Sequence, residues 1–215
     1  LFFLCFILYP VLFVAFGSVY SWNTLSNMKF SGISNYIRVF QDPVMRKVMR
    51  NVVYWIIVTI IVQAGLGFAL AYIIEEKLHR LRSVFRTLFF LPVVTSVVVI
   101  AIVWSNMYKP YQGLIMNFLS LFGAKIINFV GDPKIAIFSI ILVNIWEWTG
   151  WSMVLYVAGI NQISEDVKEA ASIDGASGFR LILSIYLPLL AGTHKSLIML
   201  GIVGSLQTFA LIYSM

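Results

Sequence analysis

The side chains best placed to do chemistry sit in the middle of an apolar run. Asn144, Glu147, Trp148 and Trp151 fall at i, i+3, i+4 and i+7, the spacing that places residues on one face of a helix. That face offers an amide, a carboxylate and two indoles. Amides and carboxylates exchange hydrogen bonds with hydroxyl groups, and indole rings supply flat apolar area. A polyhydroxylated ligand with C–H faces suits this set. An acid at bilayer depth costs on the order of 2.5–3.5 kcal/mol on insertion scales, so Glu147 is expected to face protein or a hydrated path. Plainer roles compete. Trp146, Trp148 and Trp151 would also suit interhelix packing or an interfacial belt, and Glu147 would suit a structural ion pair. Gln63, Asn106 and Asn117 have no assignable company.

A second group of polar residues lies further on. Ser164 is a good N-cap, and Glu165 and Asp166 follow it in the first turn, where acids suit the positive end of a helix dipole. Gly175 is a plausible stop. A short helix is therefore expected from about Glu165 to Asp174. Ala170 and Ala171 give it a small-residue patch that another protein could approach closely. It is too short to span and belongs in or under a membrane surface; an ordinary amphipathic connector would read the same way.

The elements that must position these groups are membrane spans. A helix needs about 20 apolar residues to cross the hydrocarbon core. Five stretches qualify: 1–20, 51–74, 87–108 with a kink near Pro92, 135–162 with the lone charge Glu147, and 196–215. The stretch 113–122 is too short and is expected at the interface. Of 215 residues, 60% are hydrophobic and 11% charged, against about 25% charged in an average soluble domain. This excludes a soluble enzyme, a disordered chain and a nucleic-acid module. The net charge of +6 is spread over short loops without a basic stripe, which favours anionic headgroups over a polyanion. Alternate loops hold eight and seven Lys and Arg, so charge does not orient the chain. The lone Cys5 excludes an internal disulfide and is expected to pack. His79 and His194 lie far apart, so no metal site is expected. The chain opens inside an apolar run, as a piece of a longer protein would.

The residues after Ser164 carry more information. Glu169-Ala170-Ala171, three residues, Gly175, nine residues, then Ile185-Tyr186-Leu187-Pro188 resembles the EAA loop of binding-protein-dependent ABC importer permeases. The segments 173–176 (IDGA), 85–104 (FRTLFFLPVVTSVVVIAIVW) and 30–43 (FSGISNYIRVFQDP) are similar to the carbohydrate branch of that family, the maltose- and oligosaccharide-type subunits. The resemblance runs over nearly the whole chain.

The resemblance implies an all-α polytopic membrane protein, a single transmembrane domain over residues 1–215 of the ABC type I importer class. Five spans of a six-helix core are expected here, with the EAA loop, about 163–195, on the cytoplasmic side and 75–86 with it. It implies an inner-membrane, bacterial, multi-pass subunit that imports a carbohydrate delivered by an extracytoplasmic binding protein, beside a second homologous permease. Two ATPase subunits would bind ATP and Mg. Glu169, Ala170, Ala171, Asp174 and Gly175 would dock in an ATPase groove. This agrees with a chain that has no GxxxxGK[ST] loop and is expected to be no enzyme and to bind no cofactor. Asn144, Glu147, Trp148 and Trp151 match sugar-lining positions, joined by Gly201, Ser205 and Thr208 on the fifth span. The same fold importing a glycerol phosphoester, a polyamine or an amino acid remains an alternative. A membrane-embedded glycosyltransferase is a remoter one, since it would need paired carboxylates or a metal cluster near the surface.

Overall fold

The computed structural model describes residues 1–23, 27–78 and 80–215, and the backbone but not the side chain of Ser172. His79 therefore lies outside the described residues. The chain divides into two compact units, Leu1–Asn51 and Val52–Met215.

In the first unit, helix α1 (Leu4–Gly17) is apolar on all sides and buries no side chain within the unit. Cys5, expected to pack, is exposed on it: a helix without a polar face has no inner face to hide a thiol in. A two-stranded antiparallel hairpin follows, β1 (Tyr20–Ser21) against β2 (Lys29–Phe30). Asn35 of α2 (Ser34–Gln41) ties it down, donating from Nδ2 to the carbonyls of Ser18 and Tyr20 at 2.9 and 3.0 Å. Asp42 then starts α3 (Pro43–Glu76). Its Oδ1 accepts from the Val44 amide at 2.7 Å, and Pro43 takes the first helical position, where no N–H is needed.

Among the described residues two helices are long and apolar enough to cross a membrane unbroken, α3 with 34 residues and α7 (Ala136–Ile160) with 25. They coincide with the second and fourth expected spans. The other three expected spans take a different form. The first is the shorter helix α1. The third is a pair, α4 (Arg82–Val94) and α5 (Val97–Met107), bent by 94°. Pro92 lacks an N–H, Leu91–Val94 tightens to a 3₁₀ turn, and Thr95 is extended, so the chain turns just after the proline. The fifth is α9 (Gly178–Leu189) and α10 (Ala191–Gln207), bent by 68°. Here Pro188 follows a π-helical turn, Ile182–Tyr186. The expected fifth span of 196–215 is thus displaced: α10 begins earlier, stops at Thr208, and a short α11 (Ala210–Ser214) follows. The stretch expected at the interface forms only α6 (Leu114–Ser120).

Two apolar cores hold the second unit. One packs Trp55, Ile100 and Ala101 against Ile141, Val143 and Leu211; the other packs Ala71, Ile74, Met153 and Ile160 against Tyr186 and Leu190. Small residues bring the helices together, as is usual in membranes. A Cβ on Gly67 of α3 would stand 2.6 Å from Ser152 Cβ of α7, and one on Gly150 would strike the Phe89 carbonyl of α4.

Candidate functional site

Between the two cores, α3, α7 and α10 leave a cavity of about 300 Å³. From α7 it is lined by Asn144, Trp148, Trp151 and Ser152; from α3 by Ile60, Gln63 and Ala64. Leu197, Leu200, Gly201, Gly204 and Ser205 of α10 complete it, with Thr208 just beyond the helix end. The structure so brings together Asn144, Trp148, Trp151, Gly201, Ser205 and Thr208. No lining residue carries an ionisable side chain.

The helix geometry explains the membership. At about 100° per residue, Asn144, Trp148, Trp151 and Ser152 form one stripe of α7. Glu147 lies at the stripe's edge, toward Gly150, where α4 packs. It is 4% exposed, its Oε2 has no hydrogen-bond partner, and it is not among the lining side chains. Of the two surroundings expected for Glu147, protein or a hydrated path, its side chain has the first: it is enclosed by this chain. Trp146 also stays out of the cavity and packs edge-on against Trp104, with centroids 5.5 Å apart.

Gln63 and Ser152 are the polar lining residues that the sequence reading did not place at the site. Gln63 Nε2 donates to Asn144 Oδ1 at 3.0 Å and to the Asn144 carbonyl at 3.3 Å. The partner lies 81 positions away, so no local pattern reveals it. The available signal was that an amide inside an apolar run must find a partner. Thr59 makes a comparable crossing, with its Oγ1 3.5 Å from Ser205 Oγ. Gly201 has a second role, since a Cβ there would meet Ile60 Cγ1 at 2.8 Å.

The other candidate surface is α8 (Glu165–Ile173). Asp166, Glu169, Ala170 and Ile173 are exposed, and their i, i+3, i+4, i+7 spacing makes them one outward stripe. Ile173, at 86% exposure, is a large apolar side chain on it. Asp174 and Gly175 follow, also exposed. Gly175 has φ +73°, a conformation that glycine adopts without steric cost. Ala171 departs from the expected docking set: it is 6% exposed and turned inward, because it sits one residue beyond the outer stripe. Lys168 shares the inner side and lies 3.0 Å from Glu165 Oε1 and 3.4 Å from Glu76 Oε1. Burial lowers the affinity of its amine for a proton, but its hydrogen bonds and the charges of both acids outweigh this and hold the pKa above the ordinary lysine value.

Glu75, at the end of α3, is buried and accepts from Arg86 Nη2 at 2.5 Å and Nε at 3.1 Å. Arg82 donates to the Glu75 carbonyl at 2.7 Å. Among the described residues no group of three or more His, Cys, Asp or Glu is arranged to hold a metal. His194 is engaged with Tyr156 and with the Leu187 carbonyl, at 2.8 and 3.1 Å.

Residues 63–215 match the family model described as binding-protein-dependent transport system inner membrane component. The chain is 36% identical over 190 residues to the probable ABC transporter permease protein YurN of Bacillus subtilis, covering 86% of this chain and 65% of that one. It is 30% identical to the lactose transport system permease protein LacF of Rhizobium radiobacter, covering 97% and 70%. It is 32% identical to the trehalose/maltose transport system permease protein MalF of Thermococcus litoralis, covering 98% and 71%. The chain thus spans about two thirds of the length of these relatives. Among solved structures, a bacterial ABC transporter involved in alginate import aligns with TM-score 0.82 at 24% identity, covering 96% of this chain and 70% of that one. At that identity the likeness concerns the fold.

Proposed function

The chain belongs to the family of binding-protein-dependent transport system inner membrane components, and on that premise we propose that it is a permease subunit that imports a neutral carbohydrate, an oligosaccharide in particular. An extracytoplasmic binding protein delivers the sugar, a second homologous permease completes the path, and two ATPase subunits, holding ATP and Mg, supply the energy. The observation that carries the reading is the lining of the cavity. Amides and hydroxyls from Gln63, Asn144, Ser152, Ser205 and Thr208 stand beside two half-open indoles, with no charge among them. A volume of about 300 Å³ lies at the lower end of the usual range for ligand sites, roughly 300–1,000 Å³. Phosphoesters, polyamines and amino acids carry charges that such a lining leaves unpaired, at a desolvation cost. The relatives' names point the same way: lactose, trehalose or maltose, and arabinooligosaccharides.

In this reading the sugar hydroxyls take up the amide and hydroxyl groups, and its C–H faces lie on Trp148 and Trp151. The 75–86 segment and α8 stand on the cytoplasmic side of a bacterial inner membrane. There the stripe Asp166, Glu169, Ala170 and Ile173, with Asp174 and Gly175, enters a groove on the ATPase, and Glu169 meets a basic residue.

The test is uptake by proteoliposomes containing the full complex at saturating binding protein. Neutral oligosaccharide should enter on ATP addition. Trp151→Ala should slow entry by roughly tenfold, the worth of about 1.4 kcal/mol of lost ring contact. The binding protein's own affinity should stay unchanged. Import of a charged solute in place of sugar, or wild-type uptake by Trp151→Ala, would remove this cavity from the path.

A further inference from the structure

At the α8 end of the second unit, three elements meet on one carboxylate. Glu76 Oε1, on the last residue of α3, accepts from the Tyr186 hydroxyl of α9 at 2.7 Å. Lys168 Nζ of α8 lies 3.4 Å from the same oxygen. Tyr186 is 1% exposed, so its hydroxyl has little water to turn to if Glu76 is lost.

Helix α8 has nine residues, below the roughly 12–15 at which an isolated helix becomes even marginal. Its attachments therefore decide how it moves. Among its described side chains, Ala171 is buried and Lys168 is half-buried and bonded. From Glu76 a stripe winds back along α3 in four-residue steps through Tyr72, Phe68, Ala64 and Ile60, the ridge along which helices interlock. Tyr72 meets the Tyr186 ring edge-on at 5.3 Å, and Phe68 meets Tyr156 of α7 at 5.6 Å. Ala64 and Ile60 line the cavity. The same ridge thus runs from the carboxylate to the cavity wall.

We propose that Glu76 is a positioning residue that fastens α8 to α3 and α9, so that displacement of α8 by an ATPase subunit reaches the cavity. The proposal rests on the reading of this chain as an importer permease. It differs from docking, which uses the outward stripe of α8. Glu76 faces inward and acts after the ATPase has engaged.

The experiment uses the full complex in proteoliposomes and reads sugar uptake and ATP hydrolysis in the same vesicles. Glu76→Gln keeps the shape and removes the charge, Lys168→Met keeps the apolar stem, and Tyr186→Phe removes one oxygen. Each should raise the ATP hydrolysed per sugar imported by roughly tenfold or more, the scale set by one charge-assisted hydrogen bond. The Glu76→Gln/Lys168→Met double variant should be no worse than the worse single, because both cut one link. Tyr186→Phe keeps the question open to an answer if Glu76→Gln does not assemble. Unchanged ratios, uptake and hydrolysis falling in proportion, or additive effects in the double variant would overturn the link. A wild-type complex that imports no sugar overturns instead the importer reading on which it rests; wild-type import with normal ratios in all three variants overturns the link alone.

Discussion

On the cavity lining, polar side chains meet neutral to neutral, while the acid Glu147 stands buried behind it. Gln63 gives its amide hydrogens to Asn144, and Thr59 approaches Ser205. At the α8 end of the same helices, polar side chains meet as ions. Glu75 sits between Arg82 and Arg86, and Lys168 lies between Glu76 and Glu165. In the importer reading, depth in the membrane accounts for the contrast, with Glu147 as the exception. A charge at the bilayer centre is costly, whereas at a helix end long side chains reach water while their partners stay buried. In that reading, specificity at the cavity is left to shape and neutral hydrogen bonds. Strength is concentrated at the end where force would be applied.

Moving charge between the two regions breaks the contrast. The largest effect is expected at Glu75, whose side chain is 2% exposed while the side chains of Arg82 and Arg86 are about a third exposed. Removing one partner of a buried pair costs about 3–5 kcal/mol, and the partly exposed arginines place Glu75→Gln at the low end of that range. The purified subunit should lose thermal stability, read as a lower unfolding midpoint; an unchanged midpoint would show the pair to be ornamental. The converse change, Gln63→Glu, places a carboxylate against the oxygen of Asn144 at membrane depth. Sugar uptake should drop by about 70-fold or more, from a cost of about 2.5 kcal/mol, and full uptake would contradict a neutral lining.

Two smaller effects sharpen the contrast at the α8 end. Glu169→Lys should weaken copurification with the ATPase by roughly tenfold while the subunit still inserts, since a like charge would face a basic partner. Normal copurification and hydrolysis would exclude Glu169 from the docking contact. The last effect concerns pH. The Lys168 pKa is raised above 10.5 by its acidic partners, so the ammonium stabilises the fold fully below the unfolded value. That contribution is lost only as pH rises through the higher folded value. Backbone hydrogen exchange in α8, corrected for its intrinsic pH dependence, should show constant protection up to about pH 10 and loosen above it, and Lys168→Met should remove that step. Loosening of the wild type near neutrality would assign it to another group.

The cavity was legible in the sequence because its α7 wall is a local pattern: Asn144, Trp148 and Trp151 repeat at helical spacing. Glu147 obeys the same spacing yet stands outside the lining, because spacing fixes a face only to within a turn's edge and packing against α4 decides the rest. Gln63 was visible as a polar residue but not as a partner, since its contact is set by how α3 crosses α7 at Gly67. Likewise α3 and α7 read correctly as long apolar runs. The kink near Pro92 was read from the proline, though not its 94° extent, and the bend after Pro188 was not read, because hydropathy counts residues and carries no direction. The pairs at Glu75 and Glu76 join residues of different elements and have no local pattern, and the inward turn of Ala171 needed the helix phase as well as its composition.

The uncharged lining of the cavity has an electrical consequence. A membrane potential does work of about 2.3 kcal/mol per elementary charge per 100 mV, and it finds no charged side chain on this surface to act upon. A neutral solute moving past it would carry no current, so the step across these helices would be electrically silent. Its direction would then be set by which side is open rather than by voltage.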